Sequence, residues 1–337
     1  MRQSGKITAR GRLFGRILII GLALAAVAAA APAPNPVLEK AADYLEWGRW
    51  KQARSLLASA VADPGNAQNA PLIAYYGHVL ASFGDLGQSL KMTKRAVKLD
   101  PQCASCRLYL FESMAKRAKH QNTFRAMLQL PKMKKQLETA ERLNPRLGDV
   151  QWGWIDLDLV LPKAAGGGAE NAIAHAQQLR RLDPVDGRLA LASIYKQTGN
   201  PAQALVEYRA AATNHPQDPR GVFALGKALF QQRQYAAAAP YLARALDLNA
   251  RSALYAAYQA ANLVHLNRLV QAQQVIAAAH QRFPDSRLAD FLVAQALKDV
   301  GQDYAWARQL LQAYLRVPPE PQQPTAAAAK KLLANLG

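Results

Sequence analysis

Stretches of this chain copy one another at a fixed interval of 34 residues, and that period constrains the fold more than any other feature. Ala204, Ala238 and Ala272 share one column, Tyr208, Leu242 and Ile276 a second, and Ala211, Ala245 and Ala279 a third. Upstream run Tyr195, Leu229 and Leu263, with the small residues Ala192, Gly226 and Ala260. The units close on Pro216, Ala250 and Pro284. A period of this length marks one supersecondary unit that cannot bury its own apolar face, so successive units must stack and share a continuous core.

Each column has a physical reading. Apolar residues recur at helical spacing in two runs per unit, with a turn between them. Small residues stand where two helices must approach closely. Gly199-Asn200-Pro201 ends one helix and starts the next. The closing proline is expected to stop the second helix of a unit. Each unit is therefore a helical hairpin.

The best-defined unit runs Leu191-Ala192-Ser193-Ile194-Tyr195-Lys196-Gln197-Thr198-Gly199, then Ala204, Tyr208, Ala211 and Pro216. Its large–small–aromatic–Gly–Ala–aromatic–Ala–Pro order resembles the tetratricopeptide repeat (TPR) family. Residues 70–101 resemble it too, through Tyr76-Gly77, Leu80, Gly84, Ser89, Ala96 and Leu99-Asp100-Pro101. So do residues 37–65 (Ala41, Tyr44, Gly48, Trp50, Ala53, Leu57, Ala60) and 287–318 (Val293-Ala294, Leu297, Gly301, Ala313, Pro318). In the last of these Trp306 falls where alanine is expected unless one residue is inserted. Residues 103–184 are degenerate: an insertion is expected around Thr123–Pro131, and the turn Leu161–Gly168 is expanded, resembling turns of exported bacterial members of the family.

The resemblance implies an all-α, right-handed superhelical solenoid of stacked helix-turn-helix hairpins, about eight pairs over residues 37–318. Pro318-Pro319-Glu320-Pro321 then stops the array, and within 319–337 the stretch Thr325–Leu336 forms a polar capping helix.

The N-terminus has a different grammar. Arg2, Lys6, Arg10, Arg12 and Arg16 precede the apolar run Ile17–Leu24, which fades into alanines. This is the pattern of a secretory signal, with cleavage after Ala30 and a short linker over 31–36. An uncleaved anchor helix is the alternative, but the apolar run is short for a span. Export, to the periplasm or beyond, is the expectation, and nucleic acid is then no partner. The net charge is +19, and removing residues 1–30 takes five basic and no acidic residues, leaving +14. Such a balance either favours anionic partners or records an arginine-rich composition.

Few residues invite chemistry. The chain has 2 Cys, too few for a disulfide scaffold or a four-thiolate metal site. Cys103 and Cys106 stand at a helix start, where a local disulfide, two inert thiols or a redox pair all fit. Arg107 stands where haem attachment needs histidine. Gly166-Gly167-Gly168 is followed by no Gly-Lys-Ser/Thr and reads as a flexible turn, not a phosphate loop. Trp152, Trp154, Asp156 and Asp158 suggest a sugar site with paired carboxylates, yet residues two apart on a helix face different ways. The six His are scattered, and no catalytic set, cofactor or metal site is expected.

What remains is surface. In the family the first helix of each hairpin lines a concave groove. By register this places Lys196, Arg220, Phe223, Lys227, Phe230, His265, Phe291, Gln295 and Lys298 toward the groove. Aromatics beside cations suit a peptide or an acidic segment; the alternative is that half of these residues pack between units, since Phe is usually core. No Asn occupies the places the family's Lys/Asn clamp for C-terminal carboxylates requires. The expectation is an exported, non-catalytic scaffold that binds a protein or peptide in envelope assembly or export. The alternative is an accessory subunit that binds an anionic envelope polymer or lipid headgroup peripherally through its charge.

Overall fold

A computed structural model describes residues 35–336, so the N-terminal segment expected to direct export lies outside the described residues. Among those described, the regular structure is 17 α-helices and two single 3-10 turns, with no strand. The first sixteen helices form consecutive hairpins. They are α1 (Pro36–Glu46) with α2 (Trp50–Ala62), α3 (Ala70–Ser82) with α4 (Leu86–Leu99), and α5 (Ala104–Ala118) with α6 (Thr123–Leu143). Next come α7 (Gly148–Val160) with α8 (Ala169–Leu182), α9 (Pro184–Gln197) with α10 (Pro201–Asn214), and α11 (Pro219–Gln231) with α12 (Tyr235–Leu248). The series ends with α13 (Ala253–His265) and α14 (Leu269–Arg282), α15 (Leu288–Val300) and α16 (Tyr304–Arg316), then α17 (Ala326–Ala334) alone. None of these is long and apolar enough to cross a membrane.

The hairpins stack as a solenoid. From α3 onward each first helix packs on its own second helix and on the first helix of the following unit. Second helices pack instead on the next first helix, so the first helices take the inner side. The repeating columns are the core: Ala204, Ala238, Ala272, Leu242, Ile276, Ala211, Ala245 and Ala279 are buried, while Tyr208 is half-buried.

Local chemistry sets the boundaries. Asp183, Asn200 and Asp218 each accept a backbone N–H with the side chain, and Pro184, Pro201 and Pro219 follow as first helical residues. Pro184, in the Leu182-Asp183-Pro184 stretch that resembles a unit's close, opens a helix instead, because proline's missing N–H costs nothing in a first turn. Within hairpins the turn needs a left-handed residue. Gly199 supplies it at φ 81°, and Arg233 and Asn267 adopt it in the same column of the next two units, at φ 60° and 57°. In the last unit the extra residue lies in the turn, where Asp303 has φ 42°. Ala307 is wholly buried in the alanine place, and Trp306 is half-buried beside it.

The insertion expected around Thr123–Pro131 is helical: it forms the start of α6, which runs 21 residues with Pro131 inside it. Asn122 caps this extension, accepting the Arg125 N–H at 2.9 Å.

The two ends of the array meet. Arg49 pairs with Asp285 at 3.0 Å, and Gln52 donates to the same carboxylate. Asn249 donates to Glu46 at 2.9 Å, and the Arg251 guanidinium lies 5.2 Å from the Trp47 ring centroid. The backbone N–H of Lys51 donates to Glu320 at 3.0 Å, and its ammonium donates to the Pro318 carbonyl. Glu320 is buried, and its second carboxylate oxygen has no partner.

Burial pushes the Glu320 pKa up to about 7, with Asp285 adding to the rise and Lys51 and Arg49 opposing it. The folded state therefore keeps a proton that the unfolded chain has already lost above its ordinary value of 4.5. Folding then loses stability as pH climbs from 4.5 toward 7. Glu320→Gln keeps the shape without the charge, so melting temperature should fall less steeply over that interval. At pH 8 the variant should melt above the wild type; equal profiles would place this carboxylate in water.

Candidate functional site

Five of the groove residues expected from register converge on the inner side of α9, α11 and α13. Lys196, at the end of α9, donates to Gln231 at 3.1 Å. Lys227 on α11 lies 6.0 Å from the Phe223 ring centroid and 5.4 Å from that of Tyr258 on α13. Phe230 meets Tyr258 edge-on at 5.4 Å, Tyr235 at 5.4 Å and His265 at 5.5 Å. Tyr235 and His265 stack at 3.9 Å. The result is an aromatic basin with two ammonium groups at its edge. Sequence register missed Tyr235, Tyr258 and Gln231. Tyr235 opens a second helix, which register assigns to the outer side, and Tyr258 replaces the Ala224 of the unit before, so no column announced it.

The other four residues do not join this basin. Arg220 sits at the start of α11, bonded to Asp183 at 2.8 Å and to Asp218 at 2.7 Å. Burial opposes its charge, but the two carboxylates outweigh burial and raise its pKa. It pins one unit to the next. Phe291, Gln295 and Lys298 lie on α15; Gln295 is exposed and Lys298 half-buried.

Two residues assigned to the groove surface are core. Phe223 is 4% exposed and stacks on Tyr255 at 4.3 Å, while Phe291 is 8% exposed and packs on Tyr314 at 5.4 Å. Both point inward as register requires, yet a neighbouring aromatic covers each. Phe223 is thus the floor of the basin rather than its wall.

The electrostatics of the basin are one-sided. Burial, with the neighbouring Lys196 adding to it, brings the Lys227 pKa down to about 8. Among the described residues no carboxylate pairs with either lysine. Burial also lowers the His265 pKa, with Asp299 opposing that and Arg233 adding to it. Desolvated ammonium over aromatic faces is held by cation–π attraction and remains in want of an anion.

The remaining candidates are structural. Cys103 and Cys106 are joined as a disulfide, and the Cys103 sulfur accepts the Cys106 N–H at 3.1 Å at the start of α5. Both are buried against Ile73, Ala74 and Ala96. The three glycine N–H groups at 166–168 are spent locally, on the carbonyls of Lys163, Pro162 and Asp158, leaving none for a phosphate. Trp152 donates to Asp186 at 2.7 Å, whereas Trp154 donates to Glu141 at 3.2 Å and stacks on His175 at 5.6 Å. The two indoles therefore serve different contacts. Asp158 is buried, and burial raises its pKa to about 6, against the pull of Lys134. Among the described residues no group of three His, Cys, Asp or Glu side chains could hold a metal.

Comparison with known proteins places this geometry in a class. Residues 185–228 and 219–252 each match a tetratricopeptide repeat model. Comparison of the sequence with curated proteins returns no significant match. The fold is similar to the crystal structure of yeast Tom70, at 14% identity and a TM-score of 0.63, covering 92% of this chain and 66% of that one. It is also similar to a thermophilic TPR protein of Thermus thermophilus, at 22% identity and a TM-score of 0.49, covering 58% of this chain and 97% of that chain. The chain is thus an all-helical repeat protein with the solenoid fold of tetratricopeptide repeats.

Proposed function

We propose that this protein is a non-catalytic scaffold that holds an acidic segment of a protein partner in the basin formed by α9, α11 and α13. Helical-repeat solenoids present long preformed surfaces, which lowers the ordering cost of binding. The observation that carries the reading is Lys227, desolvated over Phe223 and Tyr258 with a second lysine, not a carboxylate, as its charged neighbour. A carboxylate from a partner would supply the missing charge. The N-terminal sequence supports export, and with it a partner in the cell envelope, in assembly or secretion.

The test is affinity capture from envelope extracts with wild type, Lys227→Met and Lys227→Glu. Methionine keeps the packing stem and removes the charge, so capture should weaken; glutamate should weaken it by roughly tenfold or more through repulsion. A carboxylate binds only the protonated lysine, and free Lys227 loses its proton near pH 8. Affinity should therefore fall as pH rises through that value, and the fall should vanish in Lys227→Met. Equal capture by all three proteins would move the site elsewhere.

A further inference from the structure

Among the described residues eight large apolar side chains stand out as exposed, and three of them fall within five residues at the start of α6: Phe124 at 73%, Met127 at 44% and Leu128 at 63%. Spacings of three and four residues put them on one side of the helix. The full second helices of the other units are 13 or 14 residues long, against 21 for α6. The excess of seven residues is about two turns, or ~10 Å of helix beyond the ordinary hairpin. Leu130, the next apolar residue, already packs against the α5–α6 core. The three exposed side chains thus belong to the overhang, and the body of the array does not cover them.

Their surroundings are cationic. Between Glu112 and Glu138 the chain has no acidic residue, but it has Lys116, Arg117, Lys119, Arg125, Lys132, Lys134 and Lys135. Lys116 and Lys134 are held by Ser82 and by the Ala165 carbonyl. Arg117, Lys119, Arg125, Lys132 and Lys135 are exposed. Lys132 and Lys135 follow the apolar trio one to three turns further from the tip, near its side of the helix, by the 3.6-residue period. Arg117 and Lys119 close α5 beside it. The order is apolar tip first, cationic collar behind.

That order matches an anionic bilayer surface, where acyl chains lie beneath a layer of phosphates. We propose that the overhanging tip of the α5–α6 hairpin docks on an anionic lipid surface. Phe124, Met127 and Leu128 enter the headgroup–acyl boundary, and the collar of arginines and lysines meets the phosphates. The site lies on a second helix, apart from the inner basin, so the scaffold can hold a partner while lying on a membrane.

The test uses the full chain with vesicles of phosphatidylcholine alone or mixed with phosphatidylglycerol. The local readout is Phe124→Trp with brominated lipids, which quench an indole seated at the acyl boundary. We expect quenching of the added emission with the mixed vesicles and little with phosphatidylcholine. Phe124→Ser/Leu128→Ser should lose roughly tenfold or more in co-sedimentation, since less apolar area enters the lipid. Lys132→Glu/Lys135→Glu should lose a similar factor, and Lys227→Glu nothing. An unquenched indole overturns the proposal, because attachment through any other segment leaves that position in water. So does unchanged binding by the serine pair. Conversion of an oligomer to a monomer by the serine pair, without change in vesicle binding, would assign the tip to a second copy of this chain.

Discussion

Gly187→Ala is expected to destabilise the protein by about 3 kcal/mol, although alanine is the better helix former by about 1 kcal/mol. A Cβ built on Gly187 would lie 2.2 Å from the Arg180 Cα and 2.3 Å from its backbone nitrogen. Those are main-chain atoms of α8, which cannot swing aside as a side-chain tip can. The helices α8 and α9 would have to part, and their shared cluster of Ile155, Ala176, Leu179, Leu191 and Ile194 would part with them. Gly226→Ala is the control. Its Cβ would meet Leu242 at 3.0 Å, largely side chain that can give, so the loss should stay within about 1 kcal/mol. Denaturant unfolding followed by circular dichroism measures both. A neutral Gly187→Ala would mean that α8 and α9 stand further apart than described.

His280→Ala should cost a similar amount, about 3 kcal/mol, for an electrostatic reason. Asp290, in the first turn of α15, is wholly buried and accepts from His280 at 2.7 Å; Arg287 stands 3.7 Å from its other oxygen. Removing the imidazole leaves the buried carboxylate without its hydrogen-bond donor and with one cation 3.7 Å away. The double variant His280→Ala/Asp290→Ala removes both needs together. Its loss should fall short of the sum of the single losses by about 2 kcal/mol. Additive losses in the cycle would show that the two side chains stabilise independently.

The solenoid was legible because stacking demands the same residue type at the same place in every unit. Ala204, Ala238 and Ala272 write that demand three times over. What the period hid is what breaks it. Gly153, Gly187 and Gly221 also lie 34 apart, and a Cβ on each would meet a neighbour at 2.7, 2.2 and 2.9 Å. The next member of that column is Tyr255, so the series does not run through the three best-matched units. The same substitution accounts for Phe223. Where glycine gives way to Tyr255, the ring fills the space between units and lands on Phe223 at 4.3 Å. Register can say which way a side chain points, but not what the next unit lays over it.

The basin was half legible for the same reason. Lys196, Phe230, Lys227 and His265 follow from first-helix positions. Gln231 closes α11 and Tyr235 opens α12, on either side of the turn, where the chain direction reverses and the first-helix columns give no guide. The insertion at the start of α6 was legible as extra residues, but its helical form was not, because the repeat pattern lapses there and Pro131 follows. A single proline removes one backbone hydrogen bond, and a 21-residue helix capped by Asn122 retains enough others to continue through it.

The meeting of Arg49, Lys51 and Gln52 with Asp285 and Glu320 changes the statistical mechanics of the stack. An open row of repeats obeys nearest-neighbour rules, and its outermost members, with one neighbour each, fray before the middle melts. Tying the ends together by these polar contacts blunts that hierarchy: the first hairpin gains a hold on the far end, so fraying at one terminus must also release bonds made by the other. Melting from the termini then costs more than the neighbour-to-neighbour stacking alone would demand. The row behaves less like a loose string and more like a clasped bracelet.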